Sequence, residues 1–168
     1  MDVGQLGEQL VQWLNFESRP LDVILRLSMA ALCGGIIGWD REREDKPAGL
    51  RTHMMVALGA AAFMVLTVEV SRQTTGFAYD PVRTVAGIAG GLGFLGAGTI
   101  IQSRHRVEGV TTAAGIWVVG ALGTICGAGL YGVALLTTIL AFIILTVVQF
   151  FKLRVLHLRA QPPAHKPD

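Results

Sequence analysis

From Val110 to Phe151 the chain reads VTTAAGIWVVGALGTICGAGLYGVALLTTILAFIILTVVQFF, a run with no Asp, Glu, Lys or Arg. As one straight helix it would be ~63 Å long, about twice the ~30 Å hydrocarbon core of a bilayer. The chain must therefore double back inside this run. Gly127-Ala-Gly-Leu-Tyr-Gly132 supplies the place, because glycine tolerates the positive φ that ends a helix and reverses the chain. Two spans result, over residues 110–128 and 132–151. Three more windows of similar apolar length precede them, over 21–39, 52–70 and 82–101. The fold expected is an all-α polytopic membrane protein with five transmembrane helices.

The composition of the 168 residues agrees, with 52% hydrophobic, 15% charged and a mean hydropathy of +0.54. A soluble domain carries about 25% charged residues, and so short and apolar a chain would lack the polar surface to cover itself. Two cysteines, Cys33 and Cys126, are too few for a disulfide framework, and no Cys/His spacing suits zinc.

Orientation follows from the basic residues in the connections. Arg41, Arg43, Lys46 and Arg51 lie between spans one and two, Arg104 and Arg106 between three and four, and Lys152, Arg154, Arg159 and Lys166 after span five. Ten of the 14 basic residues thus fall on one side, which predicts an outward N-terminus and a cytoplasmic C-terminus. Residues 1–20 are acidic and lack the basic start of a cleaved signal. Val3, Leu6, Leu10, Trp13 and Leu14 recur at helical spacing, as in an amphipathic helix on the outer surface. Residues 21–151 form the transmembrane domain and 152–168 a short cytoplasmic tail, disordered from Gln161 onward.

Thirteen of the 21 glycines fall between Thr84 and Gly132. Between helices in lipid there is little hydrophobic drive, so small residues that let backbones approach supply the contact. Gly34/Gly38, Gly87/Gly91 and Gly123/Gly127 have GxxxG spacing, Ala86/Gly90, Ala89/Gly93 and Ala128/Gly132 extend the pattern, and Gly96 and Gly98 are further packing candidates. Span three shows small residues on several faces and is expected to sit centrally. An exposed-carbonyl path for a cation through this span is the alternative reading. Residues 34–43 also lie over 97–106, and 49–52 over 109–112, either as a parallel repeat of two helical hairpins or as coincidence between glycine-rich segments.

Five motifs in register, Gly34-Gly-Ile-Ile-Gly-Trp-Asp-Arg-Glu-Arg-Glu44, Pro47-Ala-Gly-Leu-Arg-Thr-His53, Val56-Ala-Leu-Gly-Ala-Ala-Ala-Phe63, Gly91-Leu-Gly-Phe-Leu-Gly-Ala-Gly98 and Gly109-Val-Thr-Thr-Ala-Ala-Gly-Ile-Trp117, closely resemble the MgtC/SapB family of bacterial inner-membrane proteins. The resemblance runs from about Leu21 to about Gly132. It implies a five-span fold with an outward N-terminus, and a role in adaptation to low magnesium, in growth inside host cells, and in control of other membrane proteins including the ATP synthase. MgtC-type members carry a soluble ACT-like domain after the last span. Here 17 residues follow Phe151, so the chain resembles the shorter SapB-like form.

The polar stretch from Asp40 to His53 is the strongest candidate for function. Asp40, Arg41, Glu42 and Arg43 extend span one as a charged helix end, Arg51, Thr52 and His53 open span two, and Thr52 is expected to cap it. Arg41, Arg51 and Arg104 are placed to meet Asp40 or Glu42, as a salt-bridged anchor or as a docking surface for a partner or anionic lipid. His53 reads as an interfacial polar residue, and Thr111 and Thr112 as caps of span four or bonds across helices. A magnesium site from Asp40, Glu42, Glu44 and Asp45 is opposed by the interleaved arginines. At the other face Asp22 pairs with Arg26, and Glu69, Asp80 and Arg83 form an outer cluster.

No G-x-x-x-x-G-K-[ST] is present, no nucleophile with a base stands out, and no nucleic-acid module or cofactor motif is recognisable. Every Asp, Glu, Lys and Arg lies near a helix end, whereas transport of an ion usually leaves ionisable groups near mid-membrane. The residues therefore favour a regulator that acts by helix contact with a membrane-protein partner or a second copy, with a small cation channel or carrier as the alternative.

Overall fold

The computed structural model describes residues 20–73, 80–103 and 106–159. Among these residues are five helices and one short hairpin: α1 Pro20–Arg43, α2 Leu50–Gln73, α3 Pro81–Gly98, β1 Ile101–Ser103, β2 Arg106–Glu108, α4 Val110–Gly127 and α5 Tyr131–Arg159. Four of them, α1, α2, α4 and α5, are long and apolar enough to cross a membrane. α3 equals α4 in length, but six glycines, Pro81 and Arg83 dilute its apolar content. The amphipathic segment expected over residues 1–20 lies, but for Pro20, outside the described residues.

Local chemistry explains the boundaries. Pro20 opens α1 with Asp22 in its first turn and Arg41 and Arg43 in its last, each charge complementing the helix dipole. Asp80 caps α3 by accepting from the Val82 amide at 2.9 Å, and Pro81 follows at the first helical position. The reversal between α4 and α5 falls where the glycines predict it. Gly129 sits at φ 80°, its amide donates to the Cys126 carbonyl at 2.9 Å, and the Leu130 amide donates to the Ile125 carbonyl at 3.1 Å.

Two expected boundaries move. Span three does not run to Ile101: the Thr99 hydroxyl donates to the Gly96 carbonyl at 2.8 Å, α3 ends at Gly98, and Ile101 enters a strand that pairs antiparallel with β2. The β-branched pair Ile100 and Ile101 after two helix-weakening glycines favours that exchange. The last helix, in turn, continues past 151 through Lys152 and Arg154 to Arg159, with no proline to stop it before Pro162.

The core is built around α4, not around span three as expected. Val119, Leu122 and Cys126 of α4 pack with Ala30, Cys33 and Ile37 of α1, Ala57 and Ala61 of α2, and Ala134 of α5. These small partners let backbones nearly touch. A Cβ placed on Gly123 would lie 2.1 Å from the Ala57 carbonyl oxygen, one on Gly127 2.6 Å from that of Ala61, and one on Gly34 2.7 Å from that of His53. α3 leans on α4 from outside, with Leu92 against Gly120 and Gly96 near Ala113.

Candidate functional site

Two regions gather the residues singled out by the sequence. The first is the turn between α1 and α2. α1 continues as a charged helix to Arg43, and Asp45 takes a left-handed φ of 52°, which a short polar side chain tolerates. Arg41 is only 2% exposed. Its guanidinium donates to the Asp40 carboxylate, through Nε at 3.1 Å and through Nη2, and pairs with Glu44 at 3.1 Å. Burying the cation is tolerable because two carboxylates neutralise it where the bundle meets the polar connection.

Glu42, exposed on the other side of α1, accepts the Leu50 amide at 2.6 Å. The cap of α2 is therefore Glu42 acting across the connection. Thr52, expected in that role, lies exposed within the helix. A Cβ on Gly49 would come within 2.5 Å of the same carboxylate oxygen, so glycine is what lets the cap approach.

His53 is wholly buried rather than interfacial. Gly38 explains this, for a Cβ there would lie 2.9 Å from the His53 Cβ, and its absence lets α1 close over the ring. The His53 Nδ1–H donates to the Gly49 carbonyl at 2.8 Å, while Nε2 has no hydrogen-bond partner and lies 3.4 Å from where a Cβ on Gly115 would be. Sequence reasoning missed this burial. The signal available was that His53 stands four residues before Ala57, on the small face that receives Gly34.

Arg43 and Arg51 are exposed, and Arg104 lies outside the described residues. Arg41 thus joins Asp40 as expected, together with Glu44, while Arg51 forms no ion pair with a described residue. Thr111 is exposed and Thr112 buried, and neither caps α4. The helix starts from Gly109 at φ 86° with no side-chain cap. A Cβ on Gly109 would meet the Thr99 carbonyl oxygen at 1.9 Å, so chain crossing, not a hydroxyl, sets that start.

At the opposite end Asp22 pairs with Arg26 at 2.9 Å, as the four-residue spacing predicts. Of the residues expected to cluster there, Asp80 caps α3, Arg83 is exposed, and Glu69 pairs with Arg72 at 3.5 Å. Among the described residues no three His, Cys, Asp or Glu side chains converge as metal ligands.

The second region is α3. Of the glycines expected to pack helices, Gly34, Gly38, Gly123 and Gly127 do so within the chain, and Gly96 makes ordinary contact with Ala113. Gly87, Gly91 and Gly98 do not, since a Cβ on any of them meets nothing within 4 Å, and the same holds for Gly90 and Gly93. At 100° per residue the helix has three faces. Leu92 and Gly96 meet α4, Gly87 and Gly91 border a cleft against α2, and Ala86, Gly90, Gly93 and Ala97 form an exposed stripe of small residues.

Protein SrpB of Synechococcus elongatus is 41% identical over 143 residues, covering 80% of this chain and 78% of that protein. The putative magnesium transporter YhiD of Escherichia coli K12 is 36% identical over 135 residues, covering 75% of this chain and 60% of YhiD. Protein MgtC of Brucella abortus is 43% identical over 113 residues, covering 67% of this chain and 45% of that protein. The chain therefore spans less than two thirds of the latter two. No solved structure matches. The sequence profile of the MgtC family matches residues 27–153, which include both the buried Arg41–His53 junction and the glycine faces of α3, and this multi-pass membrane protein belongs to the MgtC family.

Proposed function

We propose that the chain is a membrane-embedded modulator that binds a transmembrane helix of another membrane protein along the Ala86, Gly90, Gly93 and Ala97 stripe of α3, in the service of magnesium homeostasis. The observation that carries this reading is that Gly90 and Gly93, on that exposed stripe, have nothing within 4 Å of their Cβ positions. Each glycine in a helix interior costs ~1 kcal/mol relative to alanine, and in lipid the compensation is close backbone packing against another helix. α3 does not obtain that compensation from its own bundle. In this reading α3 is the fifth span, sheltered by the partner, with the N-terminus outside the bacterial inner membrane and the basic connections in the cytoplasm.

A carrier is the other reading, and the name of the YhiD relative gives it a specific motive. Against it, among the described residues the buried Arg, His and Glu side chains, Arg41, His53 and Glu69, lie within about a turn of a helix end. Deeper in the bundle, Thr67, Thr124 and Thr138 turn their hydroxyls onto carbonyls of their own helices, at 2.8, 2.9 and 2.8 Å.

The test is a photo-crosslinking residue at Gly90 or Gly93 in the full chain, activated in magnesium-limited cells. An adduct to one integral membrane protein, lost with Ala97→Leu and accompanied by a change in that protein's activity, is expected. Absence of any adduct, with magnesium flux through the protein reconstituted in liposomes, would replace this reading with the carrier.

A further inference from the structure

The cleft between α2 and α3 faces away from the Gly90–Gly93 stripe and has its own geometry. α3 touches α2 where the hydroxyls of Thr67 and Thr84 hydrogen bond at 3.0 Å, and it leans on α4 at Leu92 and Gly96. Between those contacts the two helices part around a cleft of about 650 Å³, walled by Met55, Gly59 and Phe63 on α2 and by Gly87 and Gly91 on α3. Cβ atoms on Gly59, Gly87 and Gly91 would meet nothing within 4 Å, so these three positions leave the cleft open. At the closed end Thr67 donates to the Phe63 carbonyl at 2.8 Å and its oxygen meets that of Thr84, so these hydroxyls are engaged and the rest of the lining is apolar.

Length decides the class of occupant. Met55 and Thr67 bound the cleft along α2, a distance of ~18 Å at 1.5 Å per residue. One leaflet of the hydrocarbon core is ~15 Å deep, and a transmembrane helix needs ~30 Å of groove. A single acyl chain fits where a partner helix or a second copy of this chain would overrun the Thr67–Thr84 contact. Charge decides the headgroup. Arg51 stands one turn before Met55 on the same face of α2, exposed and without an ion pair to any described residue. Glu42 already takes the Leu50 amide, and the exposed Arg51 guanidinium is open to an anion.

We propose that this cleft holds one acyl chain of an anionic phospholipid drawn from the leaflet beside the α1–α2 connection, with its phosphate on Arg51. The lipid lines the side of α3 that the protein leaves open and holds the helix at a set angle to α2. The site is distinct from the partner-binding stripe, and each stands without the other.

The experiment is native mass spectrometry of the full chain in mild detergent, titrated with phosphatidylglycerol or phosphatidylcholine of the same acyl length. The wild type is expected to retain one lipid, with about a fivefold preference for phosphatidylglycerol, as one juxtamembrane cation provides. Arg51→Gln should bring the ratio close to one while phosphatidylcholine binding persists. Gly59→Phe and Gly91→Phe should each fill the cleft and lower retention of either lipid about tenfold. Because a Cβ is free at both positions, these variants should unfold no earlier than the wild type, and if either fails to fold the other and Arg51→Gln still decide. Equal retention by wild type and a folded cleft-filled variant would overturn the proposal. So would equal affinity of the wild type for both lipids, or a crosslinker at Gly59 that captures a protein instead of lipid. Crosslinking from Gly93 is unaffected by any of these results, so this inference and the partner reading fail separately.

Discussion

Arg26 near the start of α1 donates through Nη1 to the carbonyl oxygen of Gly127 at 2.8 Å, in the last turn of α4, a hundred and one residues away in sequence. Its Nε holds Asp22 at 2.9 Å, so one guanidinium joins a carboxylate in the first turn of α1 to a carbonyl that α4 leaves unpaired at its C-terminus. Replacing Arg26 with Met keeps the aliphatic stem and removes both bonds. The loss expected is about 1–3 kcal/mol, read as a lower midpoint in thermal unfolding in detergent. With Asp22→Asn already present, Arg26→Met should cost less, because the paired carboxylate is gone; equal costs in both backgrounds would show that the ion pair contributes nothing.

Glycine substitutions should separate the packed helix faces from the open ones. Gly123→Ala puts a methyl group 2.1 Å from the Ala57 carbonyl oxygen, so α4 and α2 must move apart, at a cost of about 1–3 kcal/mol. Gly90→Ala meets nothing within 4 Å and should raise the stability of the isolated protein by about 0.5–1 kcal/mol. Unfolding of the two variants side by side checks the sign. A stabilised Gly123→Ala, or a destabilised Gly90→Ala, would contradict the placement of these faces.

The α1–α2 turn should respond unequally to its two kinds of charge. Arg41 is buried and holds Asp40 and Glu44, whose side chains keep 16% and 19% of their exposure and so retain some water. Arg41→Met is expected to cost about 2–3 kcal/mol, below the range for a fully buried pair. Glu42→Gln removes only the charge of an exposed cap and should cost about 0.5–1 kcal/mol, seen as faster hydrogen exchange at the Leu50 amide. A larger effect for Glu42 than for Arg41 would reverse the roles assigned to them.

Much of this was legible in the chain. The uncharged run from Val110 to Phe151 required a reversal, and the reversal occurs at Gly129; Asp22 and Arg26 at four-residue spacing form their ion pair; Gly34 and Gly123 pack helices as their spacing predicts. These features are local or periodic. Span length, turn chemistry and helical registry depend on neighbours in sequence, so the sequence carries them.

What the chain alone did not reveal is which of its glycine-rich faces meets another helix. Gly87/Gly91 and Gly123/Gly127 share one spacing, yet the second pair lies against Ala57 and Ala61 while the first borders an open cleft. Spacing describes a face of one helix, and a contact needs a second helix opposite, placed by the packing of the whole bundle. The same reason hid the burial of His53, the cap from Glu42 and the start of α4 at Gly109, each set by a chain segment that arrives from elsewhere. Sequence by itself determined that this is a helical membrane protein with its charges at the helix ends; tertiary structure decided that α4 is the centre and that two faces of α3 are left open by the bundle.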